Sequence, residues 1–378
     1  MKILIDFTQI PLQKTGVGIY GYHLIRNLIE NDKENTYLVV LQSDETCFDD
    51  LVSRRFILIR IRCSLFRRLI LRMLFEQIAL PFIARKRGAG IVHSLHYSFP
   101  LLPMKAKKVV TVHDMTFFLF PKLHLVRKRI YFRFFISRAS RQADMAITDS
   151  LSTAKDFMER FRVDESRVAT VYLGKDDRFE CSSSPNEENI AEAKARYGIT
   201  GDYLLYMGTI EPRKNIMRIV SSFHRVANKR RDLLLVIAGK PGWHHGEILD
   251  SITRREPGNR VRYIGFVDEQ DKPCIIAGAR IFIYPSLYEG FGIPVLESLA
   301  CGVPTITSNV SSLPEIAGDA ALCIDPYDEN EIYEAIEKLL DDKKLYNTLR
   351  VKSTQRASIF SWEKTAAETI AVYKKLVL

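Results

Sequence analysis

At 378 residues and 47% hydrophobic side chains, the chain has the length for two domains, each able to build a full core. Its net charge of +10 is carried by residues 1–175, which hold 29 Lys+Arg against 16 Asp+Glu, and with no recognition motif beside that charge a nucleic-acid partner is set aside. The six cysteines (Cys47, Cys63, Cys181, Cys274, Cys301, Cys323) form no C-x-x-C pair, which excludes a zinc framework and reads as reduced cytosolic thiols, and no run reaches the ~18 apolar residues of a membrane span.

In chain order, MKILIDF reads as a strand carrying Asp6 and lacks the apolar core of a signal peptide. After the spacer TQIPLQKT come Gly16, Gly18 and Gly21, a G-x-G-x-x-G that opens a helix in KTGVGIYGYHLIRNL. Glycines of this spacing directly behind a strand mark a dinucleotide fold, so a nicotinamide-dependent oxidoreductase is the alternative enzyme class. The spacer argues against it.

TYLVVL is the next strand, followed by residues 54–87, which hold ten basic residues opposed only by Glu76. Phe66, Leu69, Ile70, Met73 and Leu74 recur there at helical spacing. A basic amphipathic helix resting on an anionic membrane and an ordinary docked helix with a solvated basic face stand side by side as readings.

GIVHS, KVVTVH and DMAIT continue the first set of strands. His113 and Asp114 stand at the end of KVVTVH, the edge where open α/β sheets bind ligands. His93, His96 and His124 read as structural. The polar tract at 176–188 is the expected linker between a first domain, 1–175, and a second, 189–359.

The second set runs YLLYMG, LLLVIAG, VRYIG, RIFIYP and VPTIT, again with helical patterns between strands, the rhythm of parallel sheets. Between the first of these strands and a helix that Asn215 could cap lie Arg213 and Lys214, a planar fork and a mobile point charge suited to a diphosphate. His244 and His245 in GWHHGE lack a spaced third ligand and read as a loop. In 268–280, Pro273 and Gly278 interrupt the expected helix.

YPSLYEGFGIPVLESLACG at 284–302 then sets Glu289 and Glu297 across a glycine-rich turn into a helix that Pro294 begins. The backbone N–H groups of Gly290, Phe291 and Gly292 lie ahead of the helix's positive end, where anions and sugar hydroxyls are held. Glu297 in the first turn should be kept ionised by the dipole and grip a vicinal diol such as a ribose. Val295, Leu296, Leu299 and Ala300 form the core stripe, leaving Glu297 and Cys301 off it. The amphipathic close at 360–378 completes the chain.

The string PSLYEGFGIPVLESLACGVP, its continuation SSLPEIAGDAALCIDP and the upstream YMGTIEPRKN resemble the E-x7-E signature of retaining, nucleotide-sugar-dependent glycosyltransferases of family four. That resemblance implies the GT-B fold, α/β with two Rossmann-like domains whose parallel sheets face across a cleft, the helix 360–378 returning to the first domain. It implies His113 and Glu289 beside the transferred sugar, and Arg213 and Lys214 on the diphosphate. Phe291 and Gly292 would offer backbone N–H groups, Glu297 would bind the ribose, and Gly16 and Gly18 would lie on a loop near the donor phosphates. No cofactor and no metal is expected, D-x-D being absent. GTIEPRKN, TVHDMTFF and SSLPEIAGDAALCIDP look most like bacterial mannosyltransferases of surface-polysaccharide assembly. They imply GDP-mannose as donor, with a UDP- or dTDP-sugar as the alternative, and a glycan or lipid-linked acceptor. The expected location is cytoplasmic, with residues 54–87 offering a peripheral seat on the inner membrane face. A non-catalytic, membrane-associated binding protein is the reading from another class.

Overall fold

The computed structural model describes residues 1–10, 14, 16–61, 69–180, 185–254 and 260–377. The chain divides into two compact units, Met1–Gly174 with Ser361–Leu378, and Lys175–Phe360. Residues 181–184 of the expected linker, and Phe66 of the expected basic helix, lie outside the described residues.

The first unit is built on strands β1 (Lys2–Asp6), β2 (Thr36–Gln42), β3 (Phe56–Ile61), β4 (Ile91–Ser94), β5 (Lys107–Val112), β6 (Met145–Thr148) and β7 (Val168–Thr170). They pair in parallel in the order β3-β2-β1-β4-β5-β6-β7. The central strands are apolar on both faces because helices cover both, as parallel sheets require, and Ile3, Leu4 and Ile5 of β1 are fully buried. Strand addition reverses between β1 and β4, so the C-terminal ends of these strands form a topological switch point, the usual place for a ligand crevice. Asp6 pairs with Ser94 there.

The second unit contains β8 (Tyr203–Met207), β9 (Leu234–Ala238), β10 (Val261–Gly265), β11 (Ile281–Tyr284), β12 (Thr305–Ser308) and β13 (Ala321–Ile324), all parallel in the order β10-β9-β8-β11-β12-β13. Its switch point lies between β8 and β11. The two segments with the strongest motif content, GTIEPRKN and PSLYEGFG, leave the ends of these two strands.

The last helix, Trp362–Lys375, is capped by Ser361, whose Oγ accepts from Lys364 N at 3.1 Å. It belongs to the first unit, where the Tyr373 hydroxyl meets His93 Nδ1 at 2.6 Å. Gly174 is imposed by this packing, because a Cβ there would stand 2.1 Å from Trp362 N.

Three strands escaped the sequence reading. The strand Phe56–Ile61 lies in what reads as a basic helix, and its apolar run is broken by Arg60, whose guanidinium reaches back to the Glu45 carbonyl and Asp49. Strands β7 and β13 are short edge strands with little periodicity to detect. Among the described residues of 54–87, the helical ones are Leu69–Leu74, a π-helical turn Phe75–Ala79, and Leu80–Arg87. In 268–280, Pro273 and Gly278 bound a helix, Lys272–Ala277, instead of interrupting one. Pro273 stands in its first turn, where no N–H is needed.

Candidate active site

The buried strand YLLYM leads through GTIE into the 3-10 turn Pro212–Lys214. Asn215 closes that turn in the left-handed conformation, φ 62°. Its side chain does not cap the following helix Ile216–Lys229, contrary to the sequence expectation; the amide donates to the carbonyls of Pro285 at 3.1 Å and Pro326 at 2.6 Å. The basic turn is thereby tied to the end of β11.

Lys214 and Arg213 then meet Glu289. Lys214 Nζ lies 2.6 Å from Glu289 Oε1 and donates to the Tyr284 hydroxyl at 2.6 Å, while Arg213 Nη1 lies 3.0 Å from Glu289 Oε2. Arg213 also grips Glu211 Oε1 through Nε at 3.1 Å and Nη2 at 2.8 Å, and donates to the Tyr288 carbonyl. All four charged side chains are largely buried. Burial opposes the charge of Glu289, but Arg213 and Lys214 outweigh it and hold the carboxyl at about 2. The Lys214 amine is lowered by burial and by Arg213 beside it, against the pull of Glu289 and Glu211. Tyr206 and Tyr284 stack below, their centroids 5.7 Å apart.

The glycine-rich turn is pinned by Ser311 and Ser312. Glu289 N donates to Ser311 Oγ at 3.0 Å, and Ser312 Oγ donates to the carbonyls of Glu289 at 3.0 Å and Phe291 at 2.7 Å. Gly292 takes φ 111°, a conformation glycine adopts without strain, and launches the helix Ile293–Ala300 with Pro294 in its first turn. Phe291 is buried, its ring edge-on to Phe360 at 6.0 Å.

Glu297 departs from expectation in two respects. It is the fifth residue of the helix, past the turn where the dipole acts most strongly, and it is buried, as is Cys301. Burial raises its carboxyl to about 7, with Glu269 and Asp176 adding to the rise and Lys272 and Arg178 opposing it. The apolar stripe leaves the side chain off the sheet but does not leave it in water.

In the first unit, β5 delivers His113 to the C-terminal edge and β6 delivers Asp149. His113 Nδ1 lies 2.7 Å from Asp149 Oδ2 and Nε2 lies 2.8 Å from the Leu95 carbonyl. Both partners are acceptors, so the ring satisfies them only as an imidazolium. Burial opposes that charge, but Asp149 and the Leu95 carbonyl raise the pKa above its usual value. Among the described residues, Asp149 Oδ1 is buried without a hydrogen-bond partner. Gly16 precedes the helix Val17–Asn31 at φ 41°, and Gly18 lies inside its first turn, where a Cβ would come within 3.1 Å of Lys14 Cβ. His244 takes φ 52° and His245 begins the helix His245–Arg254 with Nδ1 2.6 Å from the Gly242 carbonyl.

Sequence reasoning missed Glu211, Asp149 and Glu76. Glu211 stood two residues before Arg213 inside GTIEPRKN, and Asp149 stood at a strand end just as His113 does; both signals were available. Glu76 is fully buried in the π-helical turn, accepting from Gln9 at 3.0 Å, Ser98 at 2.8 Å and Gln77 at 2.9 Å. Burial, then the neighbouring Asp6, push its carboxyl up to about 8.

A family model described as Glycosyl transferases group 1 matches residues 189–356, and one described as Glycosyltransferase Family 4 matches residues 14–179. The chain is 33% identical over 281 residues to the O-antigen chain mannosyltransferase B of Escherichia coli, covering 73% of this chain and 72% of that relative. It is 27% identical over 303 residues to the serotype-specific mannosyltransferase WbdA of Escherichia coli, a match spanning 75% of this chain and 36% of that longer protein. In three dimensions it is similar to sucrose-phosphate synthase (tll1590) from Thermosynechococcus elongatus, with a TM-score of 0.76 at 19% identity, covering 100% of this chain and 99% of that one.

Proposed function

Since the chain belongs to the family 4, group 1 glycosyltransferases and has their GT-B fold, we propose that this glycosyltransferase moves mannose from GDP-mannose, with retention at the anomeric carbon, onto a glycan or lipid-linked saccharide of cell-surface polysaccharide. The observation that supports the transfer of mannose is the 33% identity with the O-antigen chain mannosyltransferase B, which extends over most of both chains.

In this reading Arg213 and Lys214 meet the diphosphate and neutralise it as it departs, the largest electrostatic task of the reaction. Glu211 and Glu289 neutralise these cations within the fold, so they are held in place and desolvated where the phosphate would be received. Glu289 stays ionised at working pH and accepts hydrogen bonds from sugar hydroxyls near the reacting carbon. Glu297 takes the ribose diol, and the backbone of Phe291 and Gly292 lines the positive end of the helix. For the first unit we assign Gly16 and Gly18 to the donor phosphates and His113, held by Asp149, to the transferred sugar. On a front-face route the departing phosphate oxygen helps accept the proton of the acceptor hydroxyl, whose oxygen forms the new glycosidic bond on the face the leaving group vacates.

The reaction takes place at the cytoplasmic face of the membrane in this reading, with the basic stretch 54–87 as the seat. Among the described residues no helix is long and apolar enough to cross a membrane. A panel of nucleotide sugars tests the donor: saturating ligand should raise apparent stability by about 2.7 kcal/mol at a hundredfold excess over Kd. GDP-mannose should stabilise and turn over, and the anomeric configuration of the product should match that of the donor. Stabilisation and turnover by a UDP- or dTDP-sugar alone would replace the donor assignment, and an inverted product would remove the retaining one.

A further inference from the structure

The membrane seat named above points to a larger surface than the basic stretch alone. In β1, β4, β5 and β6, Leu4 pairs with Val92, Val92 with Lys108, Ser94 with Val110, and Val110 with Ala146. Alternate residues share a face, so Leu4, Val92, Val110 and Ala146 all point to one side of the sheet. On that side Phe75, Leu80 and Ala84 pack over Leu4 and Val92, while Phe135 and Ala139 pack over Val110 and Ile136 over Ala146. The helical stretch 69–87 and the helix Val126–Gln142 therefore lie side by side on one face of the first unit. Arg72 Nη2 joins them by donating to the Tyr131 hydroxyl at 3.2 Å.

Their outward surfaces are apolar where a solvated helix would be polar. Leu74, Ile78 and Phe82 are 47%, 64% and 66% exposed, and Val126, Ile130 and Phe134 are 57%, 64% and 44% exposed. Each set recurs every four residues, the spacing of a single helical stripe, yet in both helices this stripe points away from the core. Exposed Arg85, Lys86, Arg127, Lys128 and Arg141 flank it, and the Arg138 guanidinium lies 5.2 Å over the Phe134 ring. From 69 to 142 the acidic residues are Glu76, which is buried, and Asp114, whose Oδ1 is occupied by Thr116.

We propose that this two-helix face docks on an anionic phospholipid bilayer, with Leu74, Ile78, Phe82, Val126, Ile130 and Phe134 entering the headgroup boundary and the flanking basic residues meeting the lipid phosphates. Apolar side chains on the outer stripe gain nothing from the phosphates of a nucleic acid, and a second copy of the chain would bring two unopposed positive faces together. An anionic bilayer satisfies both the apolar stripe and the charge. Arg72, engaged with Tyr131, holds the two helices together and does not belong to the docking surface.

The full chain is sedimented with vesicles of phosphatidylcholine alone and of phosphatidylcholine with an equal part of phosphatidylglycerol, at low and high salt. Wild type should partition onto the anionic vesicles and much less onto the neutral ones. The triple variant Arg127→Gln/Lys128→Gln/Arg141→Gln should partition on the order of a hundredfold more weakly at low salt. The variant Phe82→Gln/Ile130→Gln, at exposed positions that leave the core intact, should weaken partitioning at least tenfold and abolish the part that survives high salt. Val351→Gln, at an exposed site of the second unit, should bind as wild type does. Wild type that ignores anionic vesicles at low salt, or variants that bind as wild type does, would overturn the proposal. So would light scattering that shows a dimer dissolved by Phe82→Gln/Ile130→Gln. Transfer to a water-soluble saccharide is followed in parallel, because activity without vesicle binding removes this inference and leaves the proposed reaction intact.

Discussion

Replacing Lys214 with Met tests whether the charge cluster at the end of β8 is held by compensation. The substitution keeps the length of the stem and removes the ammonium that lies 2.6 Å from Glu289 Oε1. Against its burial, Arg213 and then Lys214 hold the Glu289 carboxyl down at about 2, so the ammonium is one of two cations that keep it charged. Breaking a buried pair by removing one partner costs roughly 3–5 kcal/mol, and Arg213 stays in place on the other carboxylate oxygen, so Lys214→Met should destabilise the second unit by about 3 kcal/mol, the low end of that range. Because the folded pKa of Glu289 lies below the unfolded one, its contribution is complete above about pH 4.5 and is lost only as pH falls through about 2, so the comparison is made at pH 6, where Glu289 is fully ionised. Adding Glu289→Gln removes the stranded carboxylate, and the double variant should lie at least about 1 kcal/mol above the sum of the single effects. Urea unfolding followed by Trp243 fluorescence in a Trp362→Phe background reports on the second unit. A Lys214→Met protein within about 0.5 kcal/mol of its parent, the scale of a neutral surface change, would refute the compensation argument.

Other perturbations read separate parts of the molecule. On the proposed ribose role, Glu297, raised to about 7 by burial, accepts from the diol best when ionised, so affinity for the nucleoside diphosphate should rise between pH 6.5 and 8.5 by calorimetry. Glu297→Gln should flatten that slope and cost roughly 1–3 kcal/mol at the upper pH. Glu76 has the opposite linkage to Glu289: its pKa is raised from 4.5 to about 8, so the folded state retains a proton the unfolded state releases, and stability falls with pH across that window. Between pH 6 and 8 the loss should be about 2 to 3 kcal/mol, measured by thermal unfolding, and Glu76→Gln should remove it. Arg213→Ala should lower turnover by about tenfold to a thousandfold, read on protein shown to be folded at the assay temperature because Glu211 and Glu289 both lose a partner. Activity should survive EDTA; complete loss restored by Mg2+ or Mn2+ would contradict phosphate neutralisation by side chains alone.

The parallel sheets were legible because their strands are short apolar runs spaced by helical patterns, and the elements that escaped notice were those whose burial is one-sided or whose length is three or four residues. β3 is the instructive case. Its outer residues include Arg60, and in a basic stretch a charged residue at every few positions imitates a helix face until the register with β2 is known, Leu41 opposite Arg60. At the site, residue types and their order along the chain were readable, since glycine turns and proline starts leave local marks. Protonation was not. Glu289 and Glu297 both carry a carboxyl in the same motif, eight positions apart, yet one is held at about 2 and the other at about 7. The difference comes from which cations the folded chain brings to each, Arg213 and Lys214 in direct contact for Glu289, and the charges of Lys272 and Arg178 for Glu297, and those partners are distant in sequence.

On the proposed reading, that divergence would give the two carboxylates different uses in one site. A group held far below neutral pH is a fixed negative charge, able to keep Arg213 and Lys214 oriented and to accept from a sugar hydroxyl without ever donating a proton. A group that titrates near neutrality carries its charge conditionally, and a ligand that offers it two hydroxyl donors favours the ionised form by replacing the water that burial removed. Nucleotide binding should therefore release a proton from Glu297 in weakly buffered solution at pH 7, and the observed binding enthalpy should change with the ionisation enthalpy of the buffer. Repeating the calorimetry in phosphate and in Tris, whose ionisation heats differ widely, reads that proton directly. Glu289 should contribute nothing to the buffer dependence, and Glu297→Gln should remove its own share of it; an unchanged buffer dependence in Glu297→Gln would mean that Glu297 is already ionised, or does not touch the nucleotide at all.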